Sequence, residues 1–352
     1  MNLPTYLTYD DVLLLPNYSE VLPYQTDVQA YLCEGVTLDI PIFSAPMDTV
    51  TEASMLIALG KLGGCGILHR NFTIQDQIDQ LEAALSANVK AGAAVGVGPD
   101  FLNRVNALAE LNPAFLCIDS AHGHSKNVID GVRYIKDNYP EIPLIAGNVA
   151  TYEGAKALFC AGADIVKVGM GPGSICTTRI MSGMGVPQLT AVMEGARAAR
   201  ECNKHIIADG GIRTSGDIVK ALAAGASSVM LGSLLAGTDA SSGQLLEIDG
   251  NLYKSYRGMG SVKAMERGSA TRYGQVAGAA QKVALVPEGV EGLVAYRGEL
   301  EEHIHQLLGG IRAGLAYLGA ANIPELQKTA KFIRITSAGM AESLPHTIAR
   351  SY

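Results

Sequence analysis

Eight short apolar runs, each ending in glycine or polar residues and most separated by helical periodicity, constrain this chain more than any other feature. They are Ile42 to Ala45, Gly66 to Leu68, Ala93 to Val97, Phe115 to Ile118, Leu144 to Ala146, Ile165 to Val168, His205 to Ala208 and Ser228 to Leu231. Helical stretches lie between them at Glu52 to Leu62, Phe101 to Glu110, Val128 to Asn138, Tyr152 to Ala161, Ala191 to Arg200 and Ser215 to Ala224. Alternation of this kind places parallel strands under a layer of helices, and eight repeats predict a (β/α)8 TIM barrel of the α/β class. A doubly wound open sheet fits the same alternation; the count of eight favours closure. With 352 residues, 40 of them glycine and none tryptophan, the chain suits many short βα turns, and one domain over 1–352 is expected.

Charge narrows the partners. A net charge of −7 and the lack of any long Lys/Arg cluster argue against nucleic acid as the principal partner, because affinity for a phosphate backbone needs clustered cations. Met1 to Asp11 has neither a basic nor an apolar leader region and no apolar run approaches a bilayer span, so a soluble cytoplasmic protein with no membrane partner is expected. The six cysteines are widely spaced, without a C-x-x-C pair, which indicates neither a disulfide framework nor a zinc site.

In a closed barrel the loops after the strands form the active face, and phosphate sites often follow strands seven and eight. Here strand seven leads into Asp209-Gly-Gly211-Ile212 and strand eight into Gly232-Ser233. Next to them, after strand six, runs Gly169-Met-Gly171-Pro-Gly173-Ser174-Ile-Cys176-Thr-Thr178-Arg179. Glycines let backbone approach a ligand and successive N–H groups cup an anion, so Cys176 is expected in an amide-rich pocket suited to a nucleophilic thiolate. Beyond the eighth strand, Tyr256-Arg-Gly-Met259-Gly260-Ser261 is a further backbone-exposing turn. The weakly periodic segment about 262–290, carrying Arg272, Tyr273 and Glu288, is expected to be a mobile flap. His122 and His124 are expected to serve loop or cofactor-side hydrogen bonding rather than a metal, and His303 and His305 to be solvated. Cys65, Cys117 and Cys160 are expected in the core.

Six motifs in order, Ser44-Ala-Pro-Met47-Asp48-Thr-Val50, Gly147-Asn148-Val149, the cysteine loop, Asp209-Gly-Gly-Ile, Tyr256-Arg-Gly-Met-Gly-Ser261 and Pro287-Glu288-Gly289, resemble the inosine-5′-monophosphate dehydrogenase and GMP reductase family over nearly the whole chain. The resemblance implies that Cys176 adds to purine C2, that C2 then delivers hydride to NAD, and that water releases the product from a covalent thioimidate. Arg272 and Tyr273 match the flap pair that enters the vacated nicotinamide site and activates water; Thr178 matches a residue assisting proton movement. Ser174, Gly211, Gly232, Ser233 and Tyr256 match phosphate contacts, Asp209 a ribose contact, and Met259, Gly260 and Glu288 contacts to the base. Asp119, Ser120, Asn148, Gly169 and Met170 match the NAD side.

The resemblance further implies a potassium ion (K+) on carbonyls of Gly171, Gly173 and Cys176, completed by Glu342, Ser343 and Leu344 of a neighbouring subunit, and hence a homotetramer. The paired regulatory (CBS) module usual in family dehydrogenases is not expected at 70–90, where Arg70 to Lys90 supplies only a helix-sized connection. GMP reductases also lack it, but Arg272-Tyr273 and the segment Ser337 to His346 are dehydrogenase-like. Oxidation of IMP with NAD is therefore the expected reaction, with NADPH-dependent GMP reduction as the alternative. Gly274 stands where an aromatic is common. A flavin-dependent barrel oxidoreductase, or a nucleotide-binding regulator without turnover, are the rival readings; a yellow protein would mark the first.

Overall fold

The computed structural model describes residues 3–275 and 285–345. Eight parallel strands close into a barrel: Ile42–Ser44, Cys65–Leu68, Ala91–Val95, Phe115–Asp119, Leu144–Val149, Ile165–Val168, His205–Asp209 and Ser228–Leu231. Closure is made by the eighth strand pairing with the first, Leu231 opposite Ser44. The open-sheet alternative is thereby excluded. Every expected run is a strand, although the third begins two residues earlier than the apolar pattern indicates. Gly92 belongs inside it, because a Cβ there would come within 2.7 Å of Ile67 and 3.0 Å of Phe115 on the flanking strands.

Helices Ala53–Lys61, Ile74–Ser86, Phe101–Ala109, Lys126–Asn138, Tyr152–Ala161, Gln188–Cys202 and Ser215–Ala223 surround the strands. Three of them start from a threonine whose side chain accepts an N–H of the first turn: Thr73 from Asp76, Thr151 from Gly154 and Thr214 from Asp217. Such caps satisfy amides that have no partner within the helix and fix where each βα loop stops. The connection from Arg70 to Lys90 holds the helix Ile74–Ser86.

Two cores result. Side chains pointing outward meet the helices, whereas Phe43, Ile67, Phe115, Ile145, Ile165, Ile207 and Met230 fill the barrel interior. Leu32 and Leu38, from a hairpin of Ala30–Cys33 and Val36–Leu38, join the interior cluster and are fully buried. Tyr31 of that hairpin meets the ring of His205 at the start of the seventh strand, so the hairpin plugs the N-terminal end and leaves the opposite end as the mouth. Cys65 and Cys117 are buried as expected; Cys160 is exposed, which corrects its assignment to the core. It shares a helical stripe with Lys156, whose ammonium pairs with Glu201 at the surface.

After the eighth strand come three antiparallel strands, Leu245–Ile248, Asn251–Arg257 and Glu291–Ala295. The first two are joined at Asp249-Gly250, both at positive φ, as a two-residue hairpin turn requires. The segment expected as an irregular flap contains ordered turns: a helix Val262–Glu266, capped by the Ser261 hydroxyl, and a 3-10 turn Ser269–Tyr273. Its middle part, 276–284, lies outside the described residues, as does His346 of the C-terminal motif. Among the described residues no helix is long and apolar enough to cross a membrane.

Candidate active site

A cleft of about 340 Å³ opens at the C-terminal ends of the strands and is lined by the loops after most of them and by Arg272, Tyr273 and Glu288. Its geometry begins with the loop after the sixth strand. Gly169 approaches the seventh strand so closely that a Cβ would fall 2.0 Å from the Asp209 carbonyl oxygen, at a φ of +151°. Gly171, at φ +83°, makes room for the Arg179 side chain, whose Nη2 donates to the Val186 carbonyl at 2.6 Å. The turn thus folded has the Cys176 amide donating to the Gly173 carbonyl at 3.1 Å, and the Cys176 Sγ donating to Thr178 Oγ1 at 3.3 Å. A short antiparallel pairing fixes it further: the Thr177 amide donates to the Glu288 carbonyl at 2.9 Å and the Val290 amide to the Ile175 carbonyl at 3.0 Å. The cysteine loop and the return limb of the flap segment are therefore one piece of structure.

Beneath the cysteine loop lies a charged cluster whose centre, Lys167, the sequence reading does not name. Its ammonium is 1% exposed and donates to Asp119 Oδ1 and Asp209 Oδ2, each at 2.8 Å, and to Asn148 Oδ1. Asn148 Nδ2 in turn donates to Asp209 Oδ2 at 2.9 Å and to the Gly169 carbonyl at 2.8 Å. Gln188 donates to the Val168 and Asp209 carbonyls at 2.9 and 3.1 Å. A buried ammonium is tolerated only where opposite charge and acceptors surround it, and this one has both. The signal was available: Lys167 is the sole charged residue in the apolar run Ile165-Val-Lys-Val168.

The flap segment docks on the far side of this cluster. Arg272 Nη1 pairs with Asp119 Oδ2, and the Ala121 amide donates to the Arg272 carbonyl at 3.2 Å. Tyr273 packs on Gly260, where a Cβ would lie 2.8 Å from the phenol ring. Burial raises the Tyr273 phenol above its usual range, opposed by the Arg272 cation and reinforced by nearby Cys176 and Glu288. These couplings place Tyr273, Arg272, Cys176 and Glu288 in one electrostatic neighbourhood.

Opposite, the loops after strands seven and eight meet Tyr256. Gly210 and Gly211 take φ of +95° and +78°, and a Cβ on Gly232 would sit 2.9 Å from the Tyr256 hydroxyl. Burial pushes the Tyr256 phenol up to about 12, against a hydrogen bond with Ser174. Ser174, Gly211, Gly232, Ser233 and Tyr256 all line the cleft, a corner of amides and hydroxyls suited to an anion. Tyr256 is presented by strand Asn251–Arg257, whose last residue is clamped by Asp48: Arg257 Nε and Nη2 reach its two carboxylate oxygens at 2.9 and 2.6 Å.

Of the expected residues, Cys176, Thr178, Arg272, Tyr273, Asp209, Met259, Gly260 and Glu288 line the cleft with the five of the anion corner, as do Asp119, Asn148, Gly169, Met170, Gly171 and Gly173. Ser120 does not: its backbone joins Gly147 and Asn148, and its hydroxyl accepts the His122 amide at 3.3 Å. Glu342, Ser343 and Leu344 are not among the lining residues; they follow one another at the end of helix Ser337–Glu342, on a limb anchored by the Ile335 amide to the Asp11 carbonyl. His122 and His124 are exposed and 6.5 Å apart, with no metal-ligand cluster among the described residues. His303 is half-buried rather than solvated, and burial lowers its pKa; His305 is exposed. Thr8, Asp10 and Arg213 also line the cleft without having been singled out, Asp10 and Arg213 as an ion pair.

Residues 6–346 match the sequence model of a family described as the IMP dehydrogenase / GMP reductase domain. A protein of Aquifex aeolicus named inosine-5′-monophosphate dehydrogenase is 42% identical over 471 residues, covering 97% of this chain and 95% of its own. One of the same name from Borreliella burgdorferi is 42% identical over 392 residues, covering 97% of both. A third, from Staphylococcus saprophyticus, is 39% identical over 469 residues, covering 97% of this chain and 96% of its own. Each alignment is longer than the chain itself, so these relatives carry segments that fall opposite gaps here.

Proposed function

The chain belongs to the IMP dehydrogenase / GMP reductase family, and from that premise we propose that it oxidises IMP to xanthosine 5′-monophosphate with NAD+. The observation carrying this reading is that one cleft holds both halves of the chemistry: Cys176 with Thr178, and Arg272 with Tyr273. The Cys176 thiol gives up its proton and bonds to purine C2 as the thiolate, and the hydrogen on C2 leaves with its electron pair; NAD+, when bound, would supply the two-electron acceptor. Water then adds to C2 of the thioimidate, gives up a proton, and the C2–S bond breaks to return the thiolate. Thr178 Oγ1, 3.3 Å from Sγ, accepts the thiol hydrogen bond, and that contact supports a role for Thr178 in carrying the thiol proton away as the sulfur attacks. The proton of the attacking water goes to the Arg272–Tyr273 pair, which accepts it once one of the two, guanidinium or phenol, has itself given up a proton.

The amide-and-hydroxyl corner of Ser174, Gly211, Gly232, Ser233 and Tyr256 would hold the IMP phosphate, Asp209 the ribose hydroxyls, and Met259, Gly260 and Glu288 the base. Asp119, Asn148, Gly169 and Met170 would hold NAD+, with Ser120, outside the lining, supporting them through its backbone bonds to Gly147 and Asn148. Neutral carbonyls in a glycine turn suit a hard monovalent cation, so Gly171, Gly173 and Cys176 fit the K+ role, with Glu342, Ser343 and Leu344 supplied by a neighbouring subunit. Supply of Glu342, Ser343 and Leu344 from another copy, and with it the homotetramer, rests on the family resemblance. We take 1–352 as one catalytic domain acting in the cytoplasm without a regulatory module at 70–90.

The test offers the purified protein IMP with NAD+ and, separately, GMP with NADPH, following reduced nicotinamide by absorbance. Formation of NADH from the first pair is expected. Turnover of the second pair alone would make the protein a GMP reductase.

A further inference from the structure

The loop after the second strand reaches across the mouth to the flap segment through two consecutive side chains. Arg70 Nη1 donates to Thr271 Oγ1 at 3.0 Å and to the Gly268 carbonyl at 3.4 Å. Asn71 Nδ2 donates to the Ala264 carbonyl at 3.3 Å while also holding Asp48 Oδ2 at 3.0 Å. The Arg70 guanidinium is buried, and it fits only because residue 96 is glycine: a Cβ there would lie 2.7 Å from its Cζ. Its hydrogen bonds within the described residues all go to the flap segment, and Nη2 is buried with no partner among them. Burial, then repulsion from Arg272, pulls its pKa down to about 10. A cation kept beside another cation, with one donor unmet, is a poor choice for packing alone.

We propose that Arg70 is the latch of this segment: by gripping Gly268 and Thr271 it seats the 3-10 turn Ser269–Tyr273, and so places Arg272 on Asp119 and Tyr273 against Gly260. It is a positioning residue, acting on the hydrolytic half of the reaction only. The inference rests on the reading in which Arg272 and Tyr273 serve the thioimidate at Cys176.

The test compares Arg70→Met, Arg70→Lys and Thr271→Val with the wild-type full chain. Hydrogen exchange without ligands reads the seating directly. In Arg70→Met, peptides over 262–275 are expected to exchange about tenfold faster, the loss of a charged hydrogen bond, with barrel strands unchanged. Arg70→Lys is expected to recover most of the protection, and Thr271→Val to lose part of it. With IMP and NAD+, the first-turnover burst of NADH is expected to keep its rate while the steady state falls about tenfold, a slowing confined to the step after hydride transfer. Unchanged protection over 262–275 in Arg70→Met, or a burst slowed as much as the steady state, would overturn the proposal. If Arg70→Met does not fold, wild-type protection in Thr271→Val overturns it. A wild-type protein that turns over no IMP refutes the functional reading, and the exchange measurement still decides the latch.

Discussion

Replacing Lys167 by methionine tests the charge balance beneath the cleft. The substitution keeps volume but removes the ammonium that bonds Asp119, Asn148 and Asp209. Deleting one partner of a buried ion pair costs about 3–5 kcal/mol, because the remaining charge is left without compensation. Here the two carboxylates differ. Asp119, 4% exposed, keeps Arg272, whereas Asp209, 18% exposed, keeps, among the described residues, the Asn148 amide as its side-chain partner and what water it can draw. The uncompensated charge therefore falls on the more accessible group, and the expected loss lies at the lower end, about 3 kcal/mol. Urea denaturation at one fixed protein concentration measures it, the fixed concentration being needed if the folded chain assembles. Adding Asp209→Asn to Lys167→Met removes that orphaned charge, so the pair should recover about 2 kcal/mol relative to simple addition. A Lys167→Met protein within about 0.5 kcal/mol of wild type, or strict additivity of the two changes, would refute the reasoning.

Other outcomes follow from the same geometry. Gly260→Ala puts a Cβ 2.8 Å from the Tyr273 ring and 2.9 Å from the Glu288 carbonyl carbon, so Tyr273 and the base-contacting turn must both shift; steady-state turnover should fall about tenfold, and IMP affinity, read by calorimetry, should weaken with it. Gly169→Ala meets the Asp209 carbonyl at 2.0 Å at a φ that side chains avoid, and should destabilise by more than about 3 kcal/mol in the same denaturation assay. Asp164 is pushed up by burial but held below its ordinary range overall by the Leu144 amide and by Lys136 and Lys204. Its contribution to stability is accordingly present above the unfolded value of about 4 and is lost as pH falls through the lower folded value. Asp164→Asn should thus lower the melting temperature at pH 7 and narrow its difference from wild type under acid, as calorimetry would show.

The barrel was legible because strand and helix periodicities differ and every βα turn but the first is marked by glycine or a threonine cap. The third strand slipped because Ala91-Gly-Ala-Ala-Val95-Gly-Val97 offers small residues throughout, and only contact with Phe115 and Ile67 fixes which of them pair. Cys160 was misplaced by treating a helix as a uniform core element; its spacing of four from Lys156 assigns it to the solvent stripe. His303 fails in the opposite sense, lying three and four residues from the buried Leu300 and Leu307. The antiparallel sheet had a signal in Asp249-Gly250 between alternating residues, which the barrel count overshadowed. The site was legible as motifs, but motifs do not reveal what compensates them. Lys167 is marked by being the sole charge in its apolar run, but its partners Asp119, Asn148 and Asp209 meet it only when the strands close, and the pairing of the cysteine loop with Glu288 to Val290 joins segments more than a hundred residues apart.

The most direct measurement of the central claim is acid-quenched peptide mass analysis of the protein mixed with IMP and NAD+ on the timescale of one turnover. The peptide containing Cys176 is expected to gain the mass of the oxidised purine nucleotide, at a level that decays as product forms and that is absent from Cys176→Ala. NADH formed at the wild-type steady-state rate by Cys176→Ala, or an adduct found on another residue instead, would contradict covalent catalysis at this sulfur.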